Sequence, residues 1–305
     1  MGLPSECPLC LATRDNIDVV TSRTFGESHR KRAFYLCNKC KVIFQYPRLT
    51  PTEEKLFYAQ EFEKFMDSRS GSESGWMSPE DHVRSNQDNV SRRLKTLEKY
   101  LRSSKNVLEV GCSSGFMLRP FLENGSNCVG VEPSGIFSEF VKEQGIVVFD
   151  DLHSLIKDNS SAQFDLIMHY FVLEHIVDPI TFLKDQINLL TDNGMIFLEV
   201  PNSNDALFSI YDMPAFERFY WSKAHPWYFN EESLDYLLTR MECKYEIILE
   251  QRYDLSNHMW WALNGKPGGM GKFTKFFGTE IEENYKSALI NAGLCDTMFA
   301  IIYKN

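Results

Sequence analysis

Four groups of residues in this chain have the types and spacing that chemistry requires. The first is Glu109-x-Gly111-x-x-x-Gly115, in the run Asn106-Val107-Leu108-Glu109-Val110-Gly111-Cys112-Ser113-Ser114-Gly115-Phe116. It reads as a short buried strand, a turn and the start of a helix. Gly111 ends the strand where a side chain would block a ligand. Gly115 opens the helix, and free amides at a helix start favour an anionic or hydrogen-bonding ligand. The second group is Glu132, which closes the strand Val129-Gly130-Val131 and follows Gly111 by 21 residues. At that spacing a Rossmann-type site places a carboxylate on ribose hydroxyls. The third is a pair of C-x-x-C knuckles, Cys7-Pro8-Leu9-Cys10 and Cys37-Asn38-Lys39-Cys40, with 26 residues between them. Four thiolates from two tight turns meet the tetrahedral demand of a structural zinc ion and leave no open position for catalysis. The fourth comprises the histidines His225, His258 and His175, candidates for a general base near neutral pH.

The elements that must position these groups follow a regular plan. Strands are expected at 106–111, 127–132, 146–149, 164–170 and 194–200. Helices fit at 115–124, 134–144, 152–158 and 179–191. This alternation is that of an α/β fold with a mostly parallel sheet. A sixth strand at 244–252 and a seventh at 296–303 would pair at the sheet edge, with an insertion at 253–294 between them. Residues 1–50 read as a zinc ribbon, with strands around 34–36 and 42–44. Residues 51–104 read as a helical linker or lid that includes the soft stretch 68–75. Ser78-Pro79-Glu80-Asp81 opens a helix there with a capping serine, an early proline and two acids. Val90, Leu94, Leu97 and Leu101 continue it on one face. Residues 105–305 form the main domain.

Composition narrows the function. The chain has 305 residues and a formal net charge of −10, which disfavours a broad phosphate-binding surface and hence nucleic acid as a partner. No run of about 18 apolar residues occurs, so no membrane span is expected. No secretory pattern opens the sequence, and its eight cysteines read as thiols of a reducing, cytoplasmic compartment.

The turn departs from G-x-G-x-x-G, with Ser113 at the middle glycine position, and it resembles the first motif of the class I S-adenosylmethionine (SAM) methyltransferases, a Rossmann-like seven-stranded fold. The resemblance implies that SAM is held by Glu109, Gly111, Cys112, Ser114, Gly115 and Phe116. It further implies a part for Glu132 with Pro133, for Asp150 or Asp151 after the third strand, and for His169 and Tyr170 at the end of the fourth. The run Phe164-Asp165-Leu166-Ile167, then Val172-Leu173-Glu174-His175-Ile176, then Asp178-Pro179, is similar to a branch rich in enzymes that methylate sugars and small natural products. A zinc ribbon ahead of a SAM domain, with His225-x-x-Tyr228-Phe229 after the fifth strand, resembles the C-methyltransferases of nucleotide-linked keto sugars. Those enzymes carry a glutamate just before the histidine and a tyrosine two residues before that, where this chain has Ala224 and Ser222. Oxygen methylation is therefore at least as well supported as carbon methylation.

These features lead to an expected SAM-dependent methyltransferase acting on a sugar, nucleotide-linked, in surface-glycan or glycosylated-metabolite biosynthesis. His225 is the first choice of base, His258 the second and His175 the third. The ring residues Phe216, Phe219, Tyr220, Trp221, Trp227, Tyr228 and Phe229 offer a wall for a sugar-like ligand, or alternatively a plug over the sheet. The turn Gly265-Lys266-Pro267-Gly268-Gly269 could meet a diphosphate. A phenol or quinone acceptor, an RNA methyltransferase that grips through its ribbon, and a non-catalytic SAM-fold partner protein are the alternatives. Oligomeric state is open.

Overall fold

The computed structural model describes residues 2–26, 31–70, 78–159 and 161–304. Residues 71–75 of the soft stretch lie outside the described residues. Contacts divide the chain into two compact units. One comprises residues 1–48, 173–180 and 199–300, and the other residues 49–172, 181–198 and 301–305.

Three strands, β1 (Ile17–Thr21), β2 (Ala33–Cys37) and β3 (Ile43–Tyr46), form an antiparallel meander. Eight more follow: β4 (Asn106–Val110), β5 (Asn127–Val131), β6 (Val147–Phe149), β7 (Phe164–Tyr170), β8 (Leu190–Pro201), β9 (Trp227–Tyr228), β10 (Lys244–Glu250) and β11 (Thr297–Tyr303). Seven of the strands make a mixed sheet in the order β10-β11-β8-β7-β4-β5-β6. Its centre is parallel, with β4 between β5 and β7. Parallel strands are covered on both faces and so carry continuous apolar runs. Accordingly Val107 and Leu108 of β4 and Leu166, Ile167 and Met168 of β7 are fully buried.

Most expected elements are present, with informative differences. The helix after β4 runs Leu118–Glu123 and starts three residues later than expected. The helix expected at 179–191 stops at Asn188, and β8 begins at Leu190. Residues 190–193, expected to end the helix and lead into the strand, are already extended, because the Gly194 carbonyl accepts the amide of Lys304 (3.1 Å) and Leu190 is fully buried. The helix expected to run from 79 through 101 is two, Pro79–Ser85 and Gln87–Leu101. Asn86 interrupts it and returns its side-chain amide to the His82 carbonyl at 2.8 Å.

The meander has a fourth member. β9 pairs with β3, Ile43 opposite Tyr228 and Phe44 opposite Trp227, within the first unit. This pairing decides the fate of the aromatic segment. Phe216, Tyr220, Trp221 and Tyr228 are buried in one cluster with Phe34, Ile43, Leu207 and Trp261. Phe34 sits 5.1 Å from Trp221 and meets Tyr228 edge-on at 5.5 Å. Trp227 and Phe229 are also buried. The rings are therefore a core plug and not an open wall for a ligand, because strands β2 and β3 supply the apolar surface they cover.

Candidate functional site

The cofactor turn is built inside the second unit. Gly111 has φ +73°, and a Cβ there would meet Val172 Cγ2 at 2.7 Å. Gly130 has to lack a side chain because Cys112 Sγ would lie 2.6 Å from its Cβ. Cys112 is thus a buried packing residue, its thiol pushed well up by burial, and its side chain does not face a ligand. The turn's amides are largely spent within the protein, contrary to the expectation of free donors. Gly111 and Cys112 both donate to the Val131 carbonyl (2.8 and 3.1 Å), and Gly115 donates to Cys112. Ser113 takes φ +47°, a conformation costly for a non-glycine residue, and donates its amide to Glu132 Oε2 at 2.7 Å. The other oxygen, Oε1, accepts the amide of Ser134 at 2.8 Å. Two backbone donors thus fix the Glu132 carboxylate at the carboxyl end of β5, where such sheets bind ligands.

Residues that sequence reasoning did not single out complete this region. His82, from the helix Pro79–Ser85, is buried with Nδ1 2.9 Å from the Ser114 hydroxyl and its ring against Phe116 and Phe137. Burial, and then the charge of Arg93, lower His82 to about 4. Arg93 lies buried on the Gln87–Leu101 helix, its guanidinium 3.9 Å above the Tyr170 ring and 5.7 Å from that of Phe116. Its charge opposes the strong upward push that burial gives the Glu109 carboxyl. The apolar face of that helix predicts a buried stripe but not a buried arginine.

Other expected cofactor residues divide. Pro133 is exposed beside Glu132, and Tyr170 is buried under Arg93. Asp151 caps the helix Leu152–Asp158, accepting the Ser154 amide at 2.7 Å, which lowers its carboxyl; Asp150 beside it is exposed and uncommitted to that cap. His169 does not present itself to a ligand. It is fully buried with its ring 5.3 Å from Phe182, and burial lowers it to about 3.

The first unit holds two further groups. Cys7, Cys10, Cys37 and Cys40 are all buried, their sulfurs within 4.8 Å of one another. Cys7 to Cys40 measures 3.7 Å and Cys10 to Cys37 3.5 Å. A tetrahedral site with Zn–S bonds of about 2.3 Å has edges of about 3.8 Å, so the set fits such an ion. The two knuckles are built alike. Leu11 and Lys41 both have positive φ (60° and 59°) and donate their amides back to Cys7 and Cys37. The bond to Cys40 lowers the Cys7 thiol, while burial raises that of Cys10.

The second group is Glu174, His175 and His225. A carboxylate oxygen and one ring nitrogen of each histidine lie within 4.8 Å of one another, and the two rings meet edge-on at 4.6 Å. Glu174 and His225 are buried and His175 half-buried. The loop that carries His225 is tied down at several points. Gln45 of β3 sends its amide to the Ser222 and Lys223 carbonyls (3.2 and 3.4 Å), and its backbone amide to Pro226. The Tyr228 hydroxyl donates to the Tyr220 carbonyl and accepts the Ser222 amide, each at 2.7 Å. Trp227 Nε1 reaches the Ile176 carbonyl at 2.7 Å, and Arg48 lies 4.1 Å over the Trp227 ring while bonding Val177. Two of the three expected bases are thus brought together. The third, His258, sits elsewhere, buried with Nδ1 2.6 Å from the Tyr285 hydroxyl and lowered to about 4 by burial. The turn 265–269 is packed rather than loose, since a Cβ on Gly269 would strike Trp260 at 2.2 Å, although Lys266 is exposed.

This turn, its fixed Glu132 and the seven-stranded sheet define a class I methyltransferase, and the comparisons agree. A family profile described as a methyltransferase domain matches residues 82–246, more than half of the chain. The chain belongs to this family and is a SAM-dependent enzyme that transfers methyl groups. It is similar to a ubiquinone biosynthesis O-methyltransferase of Coxiella burnetii, 27% identical over 164 residues, covering 51% of this chain and 67% of the relative. It is also similar to a tRNA U34 carboxymethyltransferase of Dichelobacter nodosus, 35% identical over 104 residues. That match covers 32% of this chain and spans only 33% of the relative's own length. Among solved structures, a SAM-dependent methyltransferase from Archaeoglobus fulgidus superposes with a TM-score of 0.51 at 20% identity, covering 74% of this chain and 97% of that one, and so shares the fold. Among the described residues no helix is long and apolar enough to cross a membrane.

Proposed function

We propose that this methyltransferase acts on a hydroxyl of a sugar unit carried on a nucleotide, in surface-glycan or glycosylated-metabolite biosynthesis, with His225 as the general base. The observation that carries the reading is the placement of His225 beside His175 and Glu174 on a loop held rigidly by β3 and Trp227. When bound, SAM supplies a methyl group on a positively charged sulfur. Glu132 would hold the ribose, with Arg93, Glu109 and Tyr170 the polar lining of the region around the turn. A sugar hydroxyl is a poor nucleophile, and a positioned base that takes its proton is worth about 10²–10⁴-fold. Histidine is the side chain suited to taking that proton, and His225 is buried beside a carboxylate.

The sugar reading draws on the four-cysteine module ahead of the SAM domain and on the exposed Lys266, which could meet a diphosphate. The module, as we read it, is a zinc ribbon whose ion is held by Cys7, Cys10, Cys37 and Cys40. Its task is mechanical, because its strand β3 carries β9 and the His225 loop. A phenol or quinone acceptor is the second reading, favoured by the ubiquinone O-methyltransferase relative. Incubation with radiolabelled SAM and separate pools of nucleotide sugars and of phenols decides between them. Label in the nucleotide-sugar pool alone is expected; label in the phenols alone overturns the sugar assignment and leaves the methyltransferase intact.

A further inference from the structure

We propose that Glu174 is the residue that orients His225 and stabilises its protonated form, so that Glu174, His175 and His225 act as one proton-accepting group. The proposal rests on the reading of His225 as base.

A histidine that must accept a proton in one direction needs its ring held and its cationic form stabilised, and a carboxylate does both. The segment that carries His225 has none. From Tyr220 to Asn230 the sequence is Tyr-Trp-Ser-Lys-Ala-His-Pro-Trp-Tyr-Phe-Asn. Ala224, immediately before the histidine, is buried and donates its amide to the Ser222 hydroxyl at 3.1 Å. The acid must therefore come from another part of the chain. The turn Leu173–His175 supplies Glu174, only 1% exposed, with its carboxylate within 4.8 Å of ring nitrogens of both histidines.

The two segments cannot drift apart easily. The bond from Trp227 to Ile176 joins them directly, and Arg48 spans them by covering Trp227 and bonding Val177. Among the described residues, titratable groups that face His225 include Glu174 and His175 from this turn and Tyr228 from β9, whose ring lies 5.3 Å away. Tyr228 already spends its hydroxyl on Tyr220 and Ser222. The proton released by the acceptor hydroxyl goes to a His225 ring nitrogen, and the positive charge formed there is offset by Glu174.

The test is the pH dependence of turnover in Glu174→Gln, which keeps the side chain's size and removes its charge. Loss of the anion favours the neutral imidazole. The acidic limb of kcat should move to lower pH, and the plateau should fall about 10- to 100-fold. KM and the SAM Kd should stay unchanged. Glu174→Asp, which keeps the charge but shortens its reach, should lie between wild type and Glu174→Gln on both measures. It carries the test alone if the glutamine variant does not fold. Wild-type kcat with an unmoved limb in the folded variants overturns the proposal. So does a second stoichiometric metal ion in the wild-type protein whose removal abolishes activity, since the group would then be a cation site. His225→Ala assayed alongside separates the two readings. If it loses turnover while the Glu174 variants do not, only the orienting role fails; if it keeps full turnover, the assignment of the base fails.

Discussion

The pairing of β3 with β9 makes a quantitative prediction about a residue that touches neither cofactor nor acceptor in our reading. Gln45 is 1% exposed and its side-chain amide satisfies the carbonyls of Ser222 and Lys223 at 3.2 and 3.4 Å. Gln45→Met keeps the volume and strands both carbonyls. A buried polar group left unsatisfied costs about 1–3 kcal/mol. The cost falls on the loop that presents His225, so kcat should drop by about 5- to 150-fold, the range to which that energy corresponds. The cofactor turn belongs to the other compact unit, and the SAM Kd from titration calorimetry should stay within about 2-fold of wild type. A lower unfolding temperature with unchanged kcat would show that β3 stabilises the loop without positioning it. A parallel loss of SAM affinity would mean that the damage is global, and would refute the reasoning.

Three other outcomes are expected. Glu132→Ala removes the acceptor of the Ser113 and Ser134 amides as well as the proposed ribose contact, and should weaken SAM binding by about 10- to 150-fold, corresponding to about 1.5–3 kcal/mol; unchanged affinity in a folded variant would place the site elsewhere. His82 is lowered to about 4 from an ordinary 6.5, so the unfolded chain binds the extra proton first and stability is lost as pH falls from 6.5 towards 4, by up to about 3 kcal/mol. Thermal unfolding at pH 7 and pH 4.5 should show this loss in wild type and less of it in His82→Gln; equal acid sensitivity in both would contradict it. Metal analysis of protein purified under reducing conditions should find one zinc per chain, and Cys37→Ser should lose it; full metal content in that variant would exclude the four-cysteine site.

The cofactor turn and the four-cysteine module are legible because their signals are local. An apolar run ending at Gly111, an acid after the next strand and two knuckles of identical spacing each specify their own geometry within a few residues. The parts that were misread depend on partners far along the chain. The rings from Phe216 to Phe229 read as a ligand wall or a plug, and only β2 and β3, some 180 residues earlier, decide for the plug by covering them through Phe34 and Ile43. Ala224 suggested a base without its acid, because Glu174 belongs to a segment that sequence spacing cannot connect to it. His169 stands at the end of a strand, where ligands bind, yet Phe182 fills the space beside it. Arg93 was hidden by a helical period that marks Leu97 as core and says nothing of a buried cation. In the cofactor turn, the amides of Gly111 and Cys112 were open to a ligand only until the Val131 carbonyl was placed against them.

The most direct test of the account is His225→Ala, assayed for SAM affinity and for methyl transfer in the same preparation. His225 lies in a different compact unit from Glu132 and the cofactor turn. The account predicts a folded protein that binds SAM as wild type does and transfers methyl groups about 10²–10⁴-fold more slowly. Full turnover with unchanged SAM affinity would contradict it.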